Sequence, residues 1–140
     1  MTAPASGGAP GAAAGRLPPT RTTLVAGARA GVREAAIAAA IAGHPRRATA
    51  VILEGLADAN SPLVADPAQA LQVLRIAPGC LCCTGNLVLR VTLNRLLRHP
   101  PAQLYISLAN AEHVDLLRAM LSGAPYGDLL ALEPDIAMGT

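Results

Sequence analysis

Residues 22–53 read TTLVAGARAGVREAAIAAAIAGHPRRATAVIL, and the order of patterns inside this stretch sets the fold. Thr22–Ala26 is a β-prone run. Gly27 to Gly31 reads as a glycine-containing turn. Val32–Ala42 is rich in Ala and Ile, with Ile37 and Ile41 at helical spacing. Gly43, His44 and Pro45 stop that helix. Thr49–Leu53 is a second apolar strand. A strand, a helix and a strand in so short a stretch form a βαβ unit, whose two strands run parallel.

The pattern continues downstream. Gly55 to Ala65 is loop-like, with Asn60-Ser61-Pro62 as a turn signal. Leu71–Ile76 predicts a third strand. Thr84 or Asn86 suits the N-cap of a helix running to Arg98, with Leu89, Leu93, Leu96 and Leu97 as its buried stripe. Pro100 and Pro101 end it. Leu104–Leu108 predicts a fourth strand, Glu112–Leu121 a third helix closed by Gly123 and Pro125, and Leu129–Leu132 a last strand. This alternation predicts an α/β fold of three layers, a mainly parallel sheet with helices on both faces. Residues 1–20 are an Ala/Pro/Gly-rich segment that buries too little to offset its ordering entropy, and are expected to be a disordered tail. Residues 21–140 are expected to form a single domain.

Composition narrows the function classes. The chain of 140 residues is 52% hydrophobic and 14% charged, with no Phe or Trp and only Tyr105 and Tyr126 as aromatics. Its core must therefore be built from Leu, Val, Ile and Ala. All 11 basic residues are arginine, so any chemistry that needs lysine is absent. A net charge of +2, scattered arginines and missing stacking aromatics argue against nucleic acid. The longest apolar helix candidate, Ala35 to Ala42, falls far below the roughly 20 residues that span a bilayer. No signal-peptide pattern is visible at the start, and the expected setting is cytoplasmic.

The chain has three cysteines, Cys80, Cys82 and Cys83, all in Ala77-Pro-Gly-Cys-Leu-Cys-Cys-Thr-Gly-Asn86. A secreted disulfide framework would spread an even number along the chain. Thiolates are soft ligands that suit zinc or copper(I). At the start of a helix, Cys80 and Cys83 would share a face and Cys82 would swing in from the preceding turn. Three sulfurs would then converge on one ion and leave a fourth position open. The helix N-terminus would favour the deprotonated thiols. The competing reading is packing alone, because cysteine also behaves as a small hydrophobe.

The segment Gly79-Cys80-Leu81-Cys82-Cys83, followed by the leucine-rich run Asn86 to Arg98, resembles the CobW-type P-loop GTPases and metallochaperones (the CobW/HypB/UreG-like group). The likeness is strongest over residues 79–98 and extends from about Thr22 to Ile136. It implies a P-loop NTPase-like domain, here truncated. It also implies that Cys80, Cys82 and Cys83 bind a divalent metal such as zinc, that GTP with Mg²⁺ governs delivery, and that a client metalloprotein or a complete homologue is a partner.

The nucleotide motifs of that family are degenerate here. Thr23-Leu-Val-Ala-Gly27 resembles the strand that enters the family's Gly-x-x-x-x-Gly-Lys-Ser/Thr loop. The positions that follow fall on Val32, Arg33 and Glu34. Gly27, Gly31 and Arg33 are the candidate remnant of a phosphate loop, with Arg33 a forked stand-in for lysine. Glu34 replaces the Mg²⁺-binding hydroxyl; it either opposes the anion site or merely suits the first turn of a helix. Glu54 reads as a solvated loop carboxylate or a displaced relic of the acidic motif after the second strand. Leu104-Tyr-Ile-Ser107-Leu108-Ala109 keeps only Leu108 and Ala109 of the segment that senses the γ-phosphate, and a base-reading motif that needs lysine is impossible. His44 and His99 suit helix ends. His113 is a candidate fourth metal ligand. The sequence thus predicts a zinc-binding, metallochaperone-like domain with impaired GTP turnover. An active GTPase with a divergent loop and a non-catalytic pseudo-GTPase partner remain as alternatives.

Overall fold

The β-prone and helix-prone segments settle into the alternating order that their periodicities predict. The computed structural model describes residues 18–27, 29–43, 47–55, 61–76, 87–109 and 111–137. Among these residues the strands are β1 (Thr20–Ala26), β2 (Thr49–Glu54), β3 (Leu71–Ile76), β4 (Gln103–Leu108), β5 (Leu130–Leu132) and β6 (Ile136–Ala137). The α-helices among them are α1 (Ala30–Ala42), α2 (Leu87–Leu96) and α3 (Val114–Ser122). The strands pair in the order β3-β2-β4-β1-β5, with β6 also beside β1, and every ladder is parallel.

Parallel strands need long crossovers, and these cover both faces of the sheet. Alternate side chains of each central strand accordingly enter two different cores. Leu24, Ile52, Leu104 and Ile106 pack with Leu89 and Leu93 of α2 and Leu117 and Leu121 of α3. Val25, Val51, Leu53 and Tyr105 pack with Ile37 of α1 and with Leu63 from the segment after β2. The crossovers through α1 and through residues 55–70 step toward β3. Those through α2 and α3 step the other way. Crossovers of one hand that run in opposite directions land on opposite faces, which explains the two layers.

Several boundaries differ from the sequence reading. β1 begins at Thr20, because its side-chain hydroxyl is fully buried and donates to the Pro101 carbonyl at 2.8 Å. α1 begins at Ala30, so Gly31 lies inside the helix and Glu34 lies in its second turn, not its first. Residues Ala111–His113 form a 3-10 turn ahead of α3. β6 carries no strong strand signal, since only Ile136 and Ala137 pair with Val25 and Ala26. Leu96 is the last α-helical residue of α2, two short of the expected Arg98. Of the expected tail, residues 1–17 lie outside the described residues.

Candidate functional site

In an open parallel sheet the loops after the strands gather at the carboxyl edge, and neighbouring strands whose crossovers diverge leave a crevice there. In this sheet β2 and β4 are such neighbours, and β1 lies next to β4. Arg33 enters that edge from the second turn of α1. Its side chain is 1% exposed. Nε donates to Ser107 Oγ at 2.7 Å, Nη1 donates to the Gly27 carbonyl, and Nη2 donates to the Glu54 carbonyl at 3.3 Å. One guanidinium therefore joins the ends of β1, β2 and β4. A planar fork with five donors suits this task, and a lysine ammonium does not reach three divergent acceptors in the same way.

Acidic groups balance this buried cation. Glu54, the last residue of β2, is buried, and its carboxylate accepts the Ala109 backbone N–H at 2.8 Å. The solvated loop position expected for Glu54 is thus corrected: β2 extends one residue further and draws the side chain under the end of β4. Glu34 is also buried. It accepts from the Ser61 hydroxyl and pairs with both terminal nitrogens of Arg75 on β3, at 3.3 and 3.4 Å. Ser61 in turn accepts the Leu63 backbone N–H at 3.1 Å. Two arginines and two glutamates make a cluster with no net charge, which suits a water-poor edge. Burial lowers the Arg33 guanidinium below its ordinary value, while the Glu54 and Glu34 charges oppose that shift.

The candidate phosphate-loop residues therefore meet protein rather than an open cradle. Gly27 donates its N–H to the Leu108 carbonyl at 3.2 Å and gives its own carbonyl to Arg33. Gly31 is exposed, and a Cβ added there would meet nothing within 4 Å, so no close approach explains that glycine. Gly55, just past β2, has φ of +133°, a conformation that disfavours any side chain. Val32 is part-exposed on the outer side of α1. Arg33 donates to the Gly27 carbonyl, so the guanidinium is engaged by the protein and not free to meet a nucleotide phosphate.

All three cysteines, in residues 77–86, lie outside the described residues, as does His44. Their flanks are Ile76, the last residue of β3, and Leu87, the first of α2. His113 is half-buried in the turn that follows β4, and His99 is exposed beyond the end of α2. Among the described residues no group of three His, Cys, Asp or Glu side chains is placed to hold a metal ion. Among them, no helix is long and apolar enough to cross a membrane. No protein-family profile, no curated protein and no solved structure matches the chain.

Sequence reasoning missed Arg75, Ser61 and the role of Ser107. Ser107 had a visible signal, a hydroxyl in the middle of the otherwise apolar run Leu104–Leu108. Arg75 had none, because an arginine near the end of an edge strand is ordinarily solvated.

Proposed function

We propose that this chain is a thiol-based metal-binding protein of metallochaperone type that works without a nucleotide. Its reactive residues are Cys80, Cys82 and Cys83, which would hold a zinc or another soft ion through thiolate sulfur. The ion is cargo, and the incomplete ligand set leaves one position for a client's donor. His113, in the turn after β4, would take that fourth position until a client's donor replaces it.

The observation that carries this reading is the bonding of Arg33 within the protein, at the ends of β1, β2 and β4. Its bonds to Gly27, Glu54 and Ser107 engage the arginine that would otherwise stand in for a phosphate-binding lysine, which supports a role without nucleotide. That leaves the three-thiol segment between β3 and α2 as the chemistry-bearing part of the chain. The likeness to CobW-type domains in residues 79–98 supports the same assignment, with a P-loop-like scaffold in which phosphate binding is lost. A non-catalytic partner of a complete homologue is the second reading, and the same Arg33 bonds favour it.

Elemental analysis of protein purified under reducing conditions decides between them. About one zinc per chain is expected, and Cys80→Ser/Cys82→Ser/Cys83→Ser should carry none. Equal metal content in the triple variant removes the metal-handling reading.

A further inference from the structure

β3 is the outer strand of the sheet on its side, paired with β2 alone among the described strands. The Ala70 and Ile76 carbonyls accept from Thr49 and Gly55 beside β2. Backbone groups alternate sides along a strand, so Leu71 and Val73 turn their polar groups outward. Leu71 exchanges both of its bonds with Asp66, at 2.9 Å each. Val73 has no such cover from the Asp66 turn. Proteins ordinarily blunt an open edge, and among the described residues only the lower end of β3 is capped.

Two cavities follow this edge. One, of about 400 Å³, lies between β3 and α2, with Leu74, Val91 and Leu96 as its apolar floor and Thr92, Arg95 and His99 at its rim. The other, of about 370 Å³, shares Gln72, Leu74 and His99 with the first and continues past Val73 to Pro67 and Pro100. Together they make one trough along the strand. Among the described residues no carboxylate lines either cavity. From Leu71 to Ala111 the sequence holds Arg75, Arg90, Arg95, Arg98 and His99 and no Asp or Glu.

We infer that this trough binds an extended acidic peptide segment of another protein, laid along β3 as an added strand. Length and shape suit an extended chain, since a six-residue strand runs about 20 Å. Main-chain bonds to the edge supply binding, and alternate side chains enter the apolar floor. The cationic rim selects carboxylates. A second copy of this chain fits poorly. Two β3 edges brought together would oppose arginine to arginine. The acidic far edge, β5 and β6, has Glu133 and Asp135 already paired with Arg21 and Arg118. Residues 1–17 contain no carboxylate. The inference stands apart from the thiol reading, because none of its residues is a cysteine.

The test uses the full chain, ¹⁵N-labelled, and an end-blocked ten-residue peptide that alternates Glu with Val and Thr. The expected result is a set of amide shift changes at Val73, Leu74, Thr92, Arg95 and His99. Anisotropy of the fluorescein-labelled peptide should show affinity that falls several-fold between about 50 and about 300 mM salt. Arg95→Glu with His99→Glu should weaken it at least about tenfold at an unchanged melting temperature. A peptide with Lys in place of Glu should not bind. Equal binding of the Lys peptide, shifts confined to other surfaces, or no response at millimolar peptide overturns the inference. So does displacement of the peptide by a single-stranded oligonucleotide at lower concentration, or self-association of the chain through the same amides. Loss of metal in the triple cysteine variant leaves peptide binding unchanged, which keeps the two proposals separable.

Discussion

Arg33 Nε lies 2.7 Å from Ser107 Oγ, a buried bond between residues 74 positions apart. It ties the second turn of α1 to β4, and the same guanidinium holds the carbonyls that end β1 and β2. A charge in this position is the pivot of the carboxyl edge.

Removal of that charge should therefore cost more than its area suggests. Arg33→Ala leaves two carbonyls and a hydroxyl without their donor and removes the positive charge beside Glu54 and Glu34, and should destabilise the fold by about 3–5 kcal/mol. Ser107→Ala removes one acceptor and should cost about 1–3 kcal/mol. Urea unfolding measures both. An Arg33→Ala variant as stable as the parent would show that the guanidinium has no structural role.

Glu34 and Arg75 provide a second, separable test. Their side chains are 5% and 20% exposed, and the contact is two-pronged. Either single alanine variant removes this ion pair from a buried partner, so each should lose about 2–4 kcal/mol. The double variant should lose less than the sum of the two, with a coupling of about 1–3 kcal/mol. Strict additivity in the cycle would contradict the pairing.

Nucleotide should leave the protein's melting temperature unmoved. A ligand that binds the folded state at 100 times its Kd stabilises it by about 2.7 kcal/mol. Both candidate phosphate-loop residues are already bonded within the protein, Gly27 to Leu108 and Arg33 to Gly27. Thermal denaturation with millimolar GTP and Mg²⁺ should match the control. A clear upward shift would mean that the edge opens to ligand, and the nucleotide-free reading would fall.

Alkaline pH should unfold the protein through Tyr105. Burial raises its phenol above the ordinary value; Arg21 and Arg47 pull it back, and Glu133 adds to the rise. Below about pH 10 the phenol is protonated in both states and the contribution is fully present. Above that, the unfolded phenol ionises first and stability falls as pH climbs toward the folded-state value. The chain has no lysine, so few other groups obscure the effect. Tyr105→Phe should flatten the decline in stability above about pH 10, and identical pH profiles for the two proteins would refute it.

Much of the architecture was legible because it depends on local pattern. The strand runs 22–26, 49–53, 71–76 and 104–108 all fall within observed strands, and Leu89, Leu93 and Leu96 are the buried face of α2. Boundaries slipped where a long-range contact decided them. Thr20 joined β1 through Pro101, and Glu54 stayed in β2 through Gly55 and Ile76. At the candidate site, Gly27 and Arg33 were singled out for a ligand role, and the structure turns each toward the other. The thiol group lies outside the described residues, so its reading rests on the sequence.

Sequence alone determined that the chain alternates between strands and helices, that it has no lysine, and that its three thiols sit within four positions. These are properties of residue type and spacing, which a neighbour in space does not alter. Only the tertiary structure decided what Arg33 does. A guanidinium near the start of a helix reads the same whether it faces phosphate or protein. Its partners, Gly27, Glu54 and Ser107, come together because β1, β2 and β4 lie side by side, and the parallel order of the strands fixes that adjacency rather than any local signal.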